Sequence, residues 1–103
     1  SFGFILTKLA FKKRFPSAKW KAAKAAADAG NADLQDFFED WSISTYIDLR
    51  RAHNSVLFLT TVPVESGFKL TSEEAAFVLA ECTDPVELPG SVRLSFGLPE
   101  IPF

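Results

Sequence analysis

At 103 residues, with 48% hydrophobic and 23% charged side chains, the chain has the composition of one folded domain, with no room for a second and no sign of a disordered body. Net charge is −2 and the isoelectric point about 5.3, which argues against a dedicated polyanion binder; no window approaches the roughly 20 apolar residues of a membrane-spanning helix. The charge is lopsided, however: seven of the eleven bases and none of the thirteen acids lie in residues 1–27, so that stretch carries +7 against −9 for the rest, and such halves attract each other or face different partners.

In the opening "SFGFILTKLAFKKRF", Lys8 interrupts a short apolar run and the basic cluster follows that run instead of preceding it, so no targeting segment is expected. Ser1 is consistent with removal of an initiator methionine. Residues 4–11, "FILTKLAF", are β-permissive and predict a short strand or an extended packing arm. Pro16 disfavours helix at Phe15, Ser17 is placed to cap, alanines fill the interior and Gly30 stands where a left-handed residue is wanted, which predicts a helix over 18–29. Trp20, Ala23 and Ala27 share one of its faces, and Lys21, Lys24 and Asp28 another.

Asn31 is positioned to cap a second helix, in which Leu34, Phe37, Phe38 and Trp41 recur at i, i+3, i+4 and i+7, with Asp33, Asp36, Glu39 and Asp40 on the other side. A third helix is expected over 49–61, capped by Asp48, although "VLFLTTV" is rich in strand formers. Pro63 and Gly67 break the chain. "LTSEEAAFVLAEC" predicts a fourth helix with Thr71 and Glu74 as a capping box and Ala75, Val78, Leu79 and Cys82 inward.

Beyond Asp84, Pro85, Pro89, Pro99 and Pro102 forbid a continued helix. Val92, Leu94, Phe96 and Leu98 alternate with Ser91, Arg93, Ser95 and Gly97 at the period of a half-buried strand. The expected fold is therefore mainly α: a small bundle of about four short helices with an extended N-terminal segment (1–83), followed by an extended, Pro-rich apolar C-terminal arm (84–103). Whether residues 4–11 pair with that arm is open at this level.

Catalytic chemistry has few candidates. His53 and Cys82 are the only histidine and cysteine; a Cys–His pair would require both, oriented by Asp84 or Asp48, against the simpler reading of a surface histidine and a buried thiol. One Cys and one His fall short of a zinc site, and the acids of the second helix lack the glycine and alternating oxygen ligands of a calcium loop. There is no phosphate-binding glycine loop or nucleophile elbow. The expectation is a protein without enzymatic activity, cofactor or metal. A single cysteine cannot form an internal disulfide, which suits a reducing compartment or a particle assembled inside a cell.

The bases Lys8, Lys12, Lys13, Arg14 and Lys19, interleaved with Phe11, Phe15 and Trp20, are the candidate polyanion-binding set, since clustered cations meet phosphates and aromatics stack on single strands. Against this, the aromatics of an amphipathic segment turn inward and leave the lysines solvated.

Lys8, Leu9, Phe11, Lys12, Arg14 and Phe15 spell K-L-x-F-[KR]-x-R-F, and Tyr46, Ile47, Asp48 and Leu49 give an aromatic-I-D-L phrase. Gly67, Leu70, Thr71, Glu74, Ala76, Val78 and Leu79 follow a closing helix phrase. Over residues 6–82 the chain thereby resembles a group of small tailed-bacteriophage proteins encoded near tail genes. The group usually has Thr-x-x-Glu where this chain has "PSAKW", and it usually stops near residue 85, so the apolar arm is an addition. The resemblance implies a structural component of a phage particle, tail-associated, with a virion location after assembly in the host cytoplasm, and it carries no catalytic residues. Its partners would be other virion or tail proteins or copies of itself; independently of the resemblance, the alternation and prolines of the arm mark Val92, Leu94, Phe96, Leu98, Ile101 and Phe103 as the partner-binding residues. The alternatives are a small phage regulatory or nucleic-acid-binding protein using the basic region, and an assembly chaperone or adaptor.

Overall fold

In the computed structural model, which describes residues 1–101, the N-terminal segment divides at Thr7. Ile5–Leu6 form strand β1. Thr7 then caps a helix, α1 (Lys8–Arg14), its hydroxyl accepting from the Ala10 amide. The expectation of strand or arm through residue 11 is thus corrected at Lys8. The run is less than two turns, too short to show a helical period, but capping by Thr7 and the inward pair Phe11 and Arg14, one turn apart, select helix. Leu9 points outward.

Helix α2 (Ser17–Asp28) begins one residue earlier than expected, with Pro16 as N-cap and Ser17 inside the helix, making no cap bond. Its end is a Schellman turn: Gly30 sits at φ 107°, its amide donates to Ala27 O and the Asn31 amide to Ala26 O, both at 3.0 Å. Asn31 at once caps helix α3 (Ala32–Ile43) by accepting from the Leu34 amide, so α2 and α3 form a tight hairpin and pack together. Their buried faces, with α1, assemble an aromatic cluster. Trp20 meets Phe15 at 5.1 Å, Phe38 at 5.2 Å and Trp41 at 5.4 Å between ring centres, all edge-to-face, the arrangement the ring quadrupoles favour.

Ile47–Asp48 form strand β2, antiparallel to β1 with Ile5 opposite Asp48 and Leu6 opposite Ile47. Asp48 then caps helix α4 (Leu49–Phe58), which stops short of the expected residue 61. Thr60 and Thr61 hydroxyls donate to Leu57 O and Phe58 O, and side chains that bond back to the helix in this way favour its end. A 3-10 turn (Val64–Ser66) leads to Gly67 at φ 83°. Helix α5 (Ser72–Leu79) follows, with the Thr71–Glu74 capping box fully formed, and packs on α4. It ends before Cys82 because the chain turns extended at Ala80 to run beside the N-terminus. There the Phe2 amide donates to Cys82 O and the Cys82 amide to Gly3 O, each at 2.7 Å.

The C-terminal region is not an extended arm. A 3-10 turn (Pro85–Glu87) is capped by Asp84, and Pro89 opens a six-residue helix, α6 (Gly90–Ser95), where alternation predicted a strand. Arg93, expected to point to solvent, is buried, its guanidinium donating to Pro99 O at 2.6 Å and to Pro85 O. A buried cation satisfied by backbone carbonyls cannot be read from hydropathy, and it inverts the period-two assignment. The fold is therefore mainly helical, with six helices and one two-stranded ribbon among the described residues. Leu6, Phe11, Leu34, Leu49, Val56, Leu70, Val78 and Cys82 form the fully enclosed centre.

Candidate functional site

Most of the basic N-terminal set is engaged internally. Arg14 is buried: Nε and Nη2 hold both oxygens of Glu87 at 2.9 Å, while Nη1 donates to Val78 O at 3.0 Å and Ala80 O at 2.6 Å. It thereby caps the C-terminus of α5, where unpaired carbonyls and the helix dipole both favour a cation. Lys19 pairs with Glu74 at the start of α5. Lys8 donates to Ser42 O at 2.8 Å near the end of α3 and lies 4.8 Å from the Trp41 ring centre. Lys24 pairs with Asp28 at 2.9 Å. Lys12 and Lys13 are exposed in the last turn of α1, Lys12 standing over the Trp20 ring. Phe11, Phe15 and Trp20 are in the core, not available for stacking on bases.

His53 is exposed on α4 beside Asn54, whereas Cys82 is fully buried and its thiol donates to Asp84 O at 3.1 Å. Burial, reinforced by the nearby Glu87 charge, pushes the Cys82 thiol above its ordinary range. A protonated thiol bonded to a carbonyl is a poor nucleophile. Asp48 is occupied by Arg50, whose hydrogen bonds hold the carboxyl below the usual range. No group of three or more His, Cys, Asp or Glu side chains converges among the described residues.

Two surfaces remain. The first is the C-terminal one: Leu94, Phe96 and Ile101 are 56%, 46% and 57% exposed, while Val92 and Leu98 are half-buried against the core. Phe103 lies outside the described residues. The patch is held in place by the Arg93 bonds and by Phe96, whose ring meets Phe2 edge-on at 5.3 Å. Gly90 lets residue 100 fold back, since a Cβ there would stand 2.9 Å from Glu100 Cγ.

The second surface is a groove between the α2–α3 and α4–α5 pairs, with α3 and α4 as its walls. It comprises a cleft of about 500 Å³ floored by Ile5, Phe37, Trp41, Ile47 and Ala52 and a continuation of about 270 Å³ reaching Leu34 and Phe58. Phe37, Asp40 and Ser55 line both parts. The i, i+3, i+4, i+7 recurrence marks Phe37 and Trp41 as one apolar face but does not show that the face opens onto a groove. The available signal was Ala52 and Ser55, two small side chains one turn apart on α4, which leave space opposite those rings. No family model, curated protein or solved structure matches the chain.

Proposed function

We propose that the chain is a non-enzymatic structural component of a bacteriophage particle, associated with the tail and acting through protein–protein interfaces. The observation that carries the reading is the C-terminal surface: Leu94, Phe96 and Ile101 stay exposed although their segment is folded and pinned by Arg93. An ordered apolar patch costs little further entropy to bury, which suits an interface. The phage resemblance over residues 6–82 supplies the setting. Internal engagement of Arg14 and Lys19 weighs against the polyanion-binding alternative.

The reading is tested with Leu94→Ser/Phe96→Ser in the complete protein. Mass spectrometry of purified particles finds the native chain in the virion, and the double variant, folded by circular dichroism, is lost from it. Incorporation of the variant at native level removes the C-terminal surface as the interface. Absence of the native chain from finished particles that require it for assembly makes it an assembly factor instead.

A further inference from the structure

The groove between α3 and α4 has the dimensions, lining and charge of a receptor for one kind of partner. Its α3 wall is a helix of twelve residues, about 18 Å long at 1.5 Å per residue, so three turns of a docked helix lie along it. Its floor is apolar, and the exposed Ile43 and Phe58 stand toward its two ends. The rim is acidic on the α3 side. Asp33 and Asp40 line the groove, Asp36 falls between them on the same stripe, and none of the three forms an ion pair among the described residues. On the facing wall Asp48 is already neutralised by Arg50, leaving Arg51 as the one base in the lining.

We infer that this groove binds an amphipathic helix of another polypeptide, one with Leu, Ile or Phe along one face and Lys or Arg beside it. A helix fits because the walls are helices and the only strands among the described residues, β1 and β2, are two residues each, too short to template an added strand. The bases follow from the unpaired α3 acids, by complementarity.

A second copy of this chain does not meet both requirements. Its exposed lysines Lys12, Lys13, Lys21 and Lys24 lie on α1 and α2, whose aromatic side chains are inside, and Lys69 stands alone before α5. Of its exposed apolar residues, Leu94, Phe96 and Ile101 neighbour Glu100, with Arg93 buried, and Phe77 stands on α5, whose charged residues are Glu73 and Glu74. The basic surface offers one large exposed apolar side chain, Leu9, too little for a row at i, i+3 or i+4 and i+7, and the apolar surfaces carry the wrong charge. The inference rests on the reading of the chain as an interface protein and adds a second, chemically distinct partner surface to it.

The test is selection of the full-length chain against a displayed library of helix-forming peptides randomised along one face and its flanks. Synthesised winners are then measured by fluorescence anisotropy. Winners carry apolar residues at i, i+3 or i+4 and i+7 with flanking Lys or Arg, and their affinity falls as salt rises from about 0.05 to 0.5 M. Ser55→Arg, which fills the groove, and Asp40→Lys, which reverses its rim, each weaken binding by roughly tenfold. Both positions are exposed, so thermal unfolding of the two variants remains native-like, and either alone suffices if the other misfolds. Leu94→Ser/Phe96→Ser leaves peptide affinity within about twofold, because it lies outside the groove. No enrichment, acid-flanked winners, or undiminished binding to the folded groove variants overturns the inference. Loss of particle incorporation in the C-terminal variant bears on the function alone, so the two ideas fail separately.

Discussion

Arg14→Ala is expected to be among the most damaging single substitutions in this protein. The side chain is 6% exposed and its partner Glu87 22%. It joins three parts of the chain: α1, the end of α5 and the Pro85–Glu87 turn. Truncation leaves the Glu87 carboxylate without its guanidinium and orphans the Val78 and Ala80 carbonyls at a helix end. Breaking a buried pair costs about 3–5 kcal/mol, a large share of the roughly 5–15 kcal/mol that holds a domain of this size. Glu87→Gln retains hydrogen-bond acceptance and leaves the α5 carbonyls capped, so its cost is about 1–2 kcal/mol. Arg14→Lys falls between, since one ammonium cannot serve a bidentate carboxylate and two carbonyls together. Urea unfolding followed by far-ultraviolet circular dichroism and tryptophan fluorescence measures all three. A loss below about 1 kcal/mol for Arg14→Ala, or Glu87→Gln costing as much as Arg14→Ala, would show that the carbonyl contacts contribute nothing and refute the reasoning.

Two further outcomes follow from the titrating groups. Hydrogen bonds from Lys19, then from the Thr71 amide, depress the Glu74 carboxyl, so its contribution of about 0.5–1 kcal/mol is present above the ordinary carboxylate range and is lost as pH falls through the depressed value. Glu74→Gln therefore lowers stability at neutral pH and flattens the acid limb of a stability–pH curve; an unchanged acid slope contradicts this. Cys82, enclosed and with its pKa raised, reacts with an aromatic disulfide reagent at about pH 8 only after unfolding in urea, and prompt labelling of the native protein would show the thiol accessible.

The helical hairpin was legible because its signals are local. Asn31, Gly30 and the Leu34–Phe37–Phe38–Trp41 stripe act within a turn or two of themselves, as do Thr71 and Glu74; the caps and the helix appear as read, with Leu34 and Phe38 buried and Phe37 and Trp41 lining the groove. Asp48 was likewise recognisable as a cap. The misreadings fall where a residue's fate depends on distant chain. Residues 8–14, capped locally by Thr7, turn Arg14 inward because α5 presents carbonyls to it, 63 or more residues away in sequence.

The same distinction governs the candidate surfaces. Composition and alternation alone identified Leu94, Phe96 and Ile101 as apolar residues in need of cover, but their exposure depends on a helix and a buried Arg93 that hydropathy assigns to solvent. Sequence by itself determined helices α2 to α5 and the caps at Asn31, Asp48 and Thr71–Glu74, since those choices involve neighbours along the chain, but not α1, α6 or the start of α2 at Pro16. Tertiary structure alone decided which cations are spent internally and where α3 and α4 leave a groove, because charge pairing and packing join residues that the sequence keeps far apart.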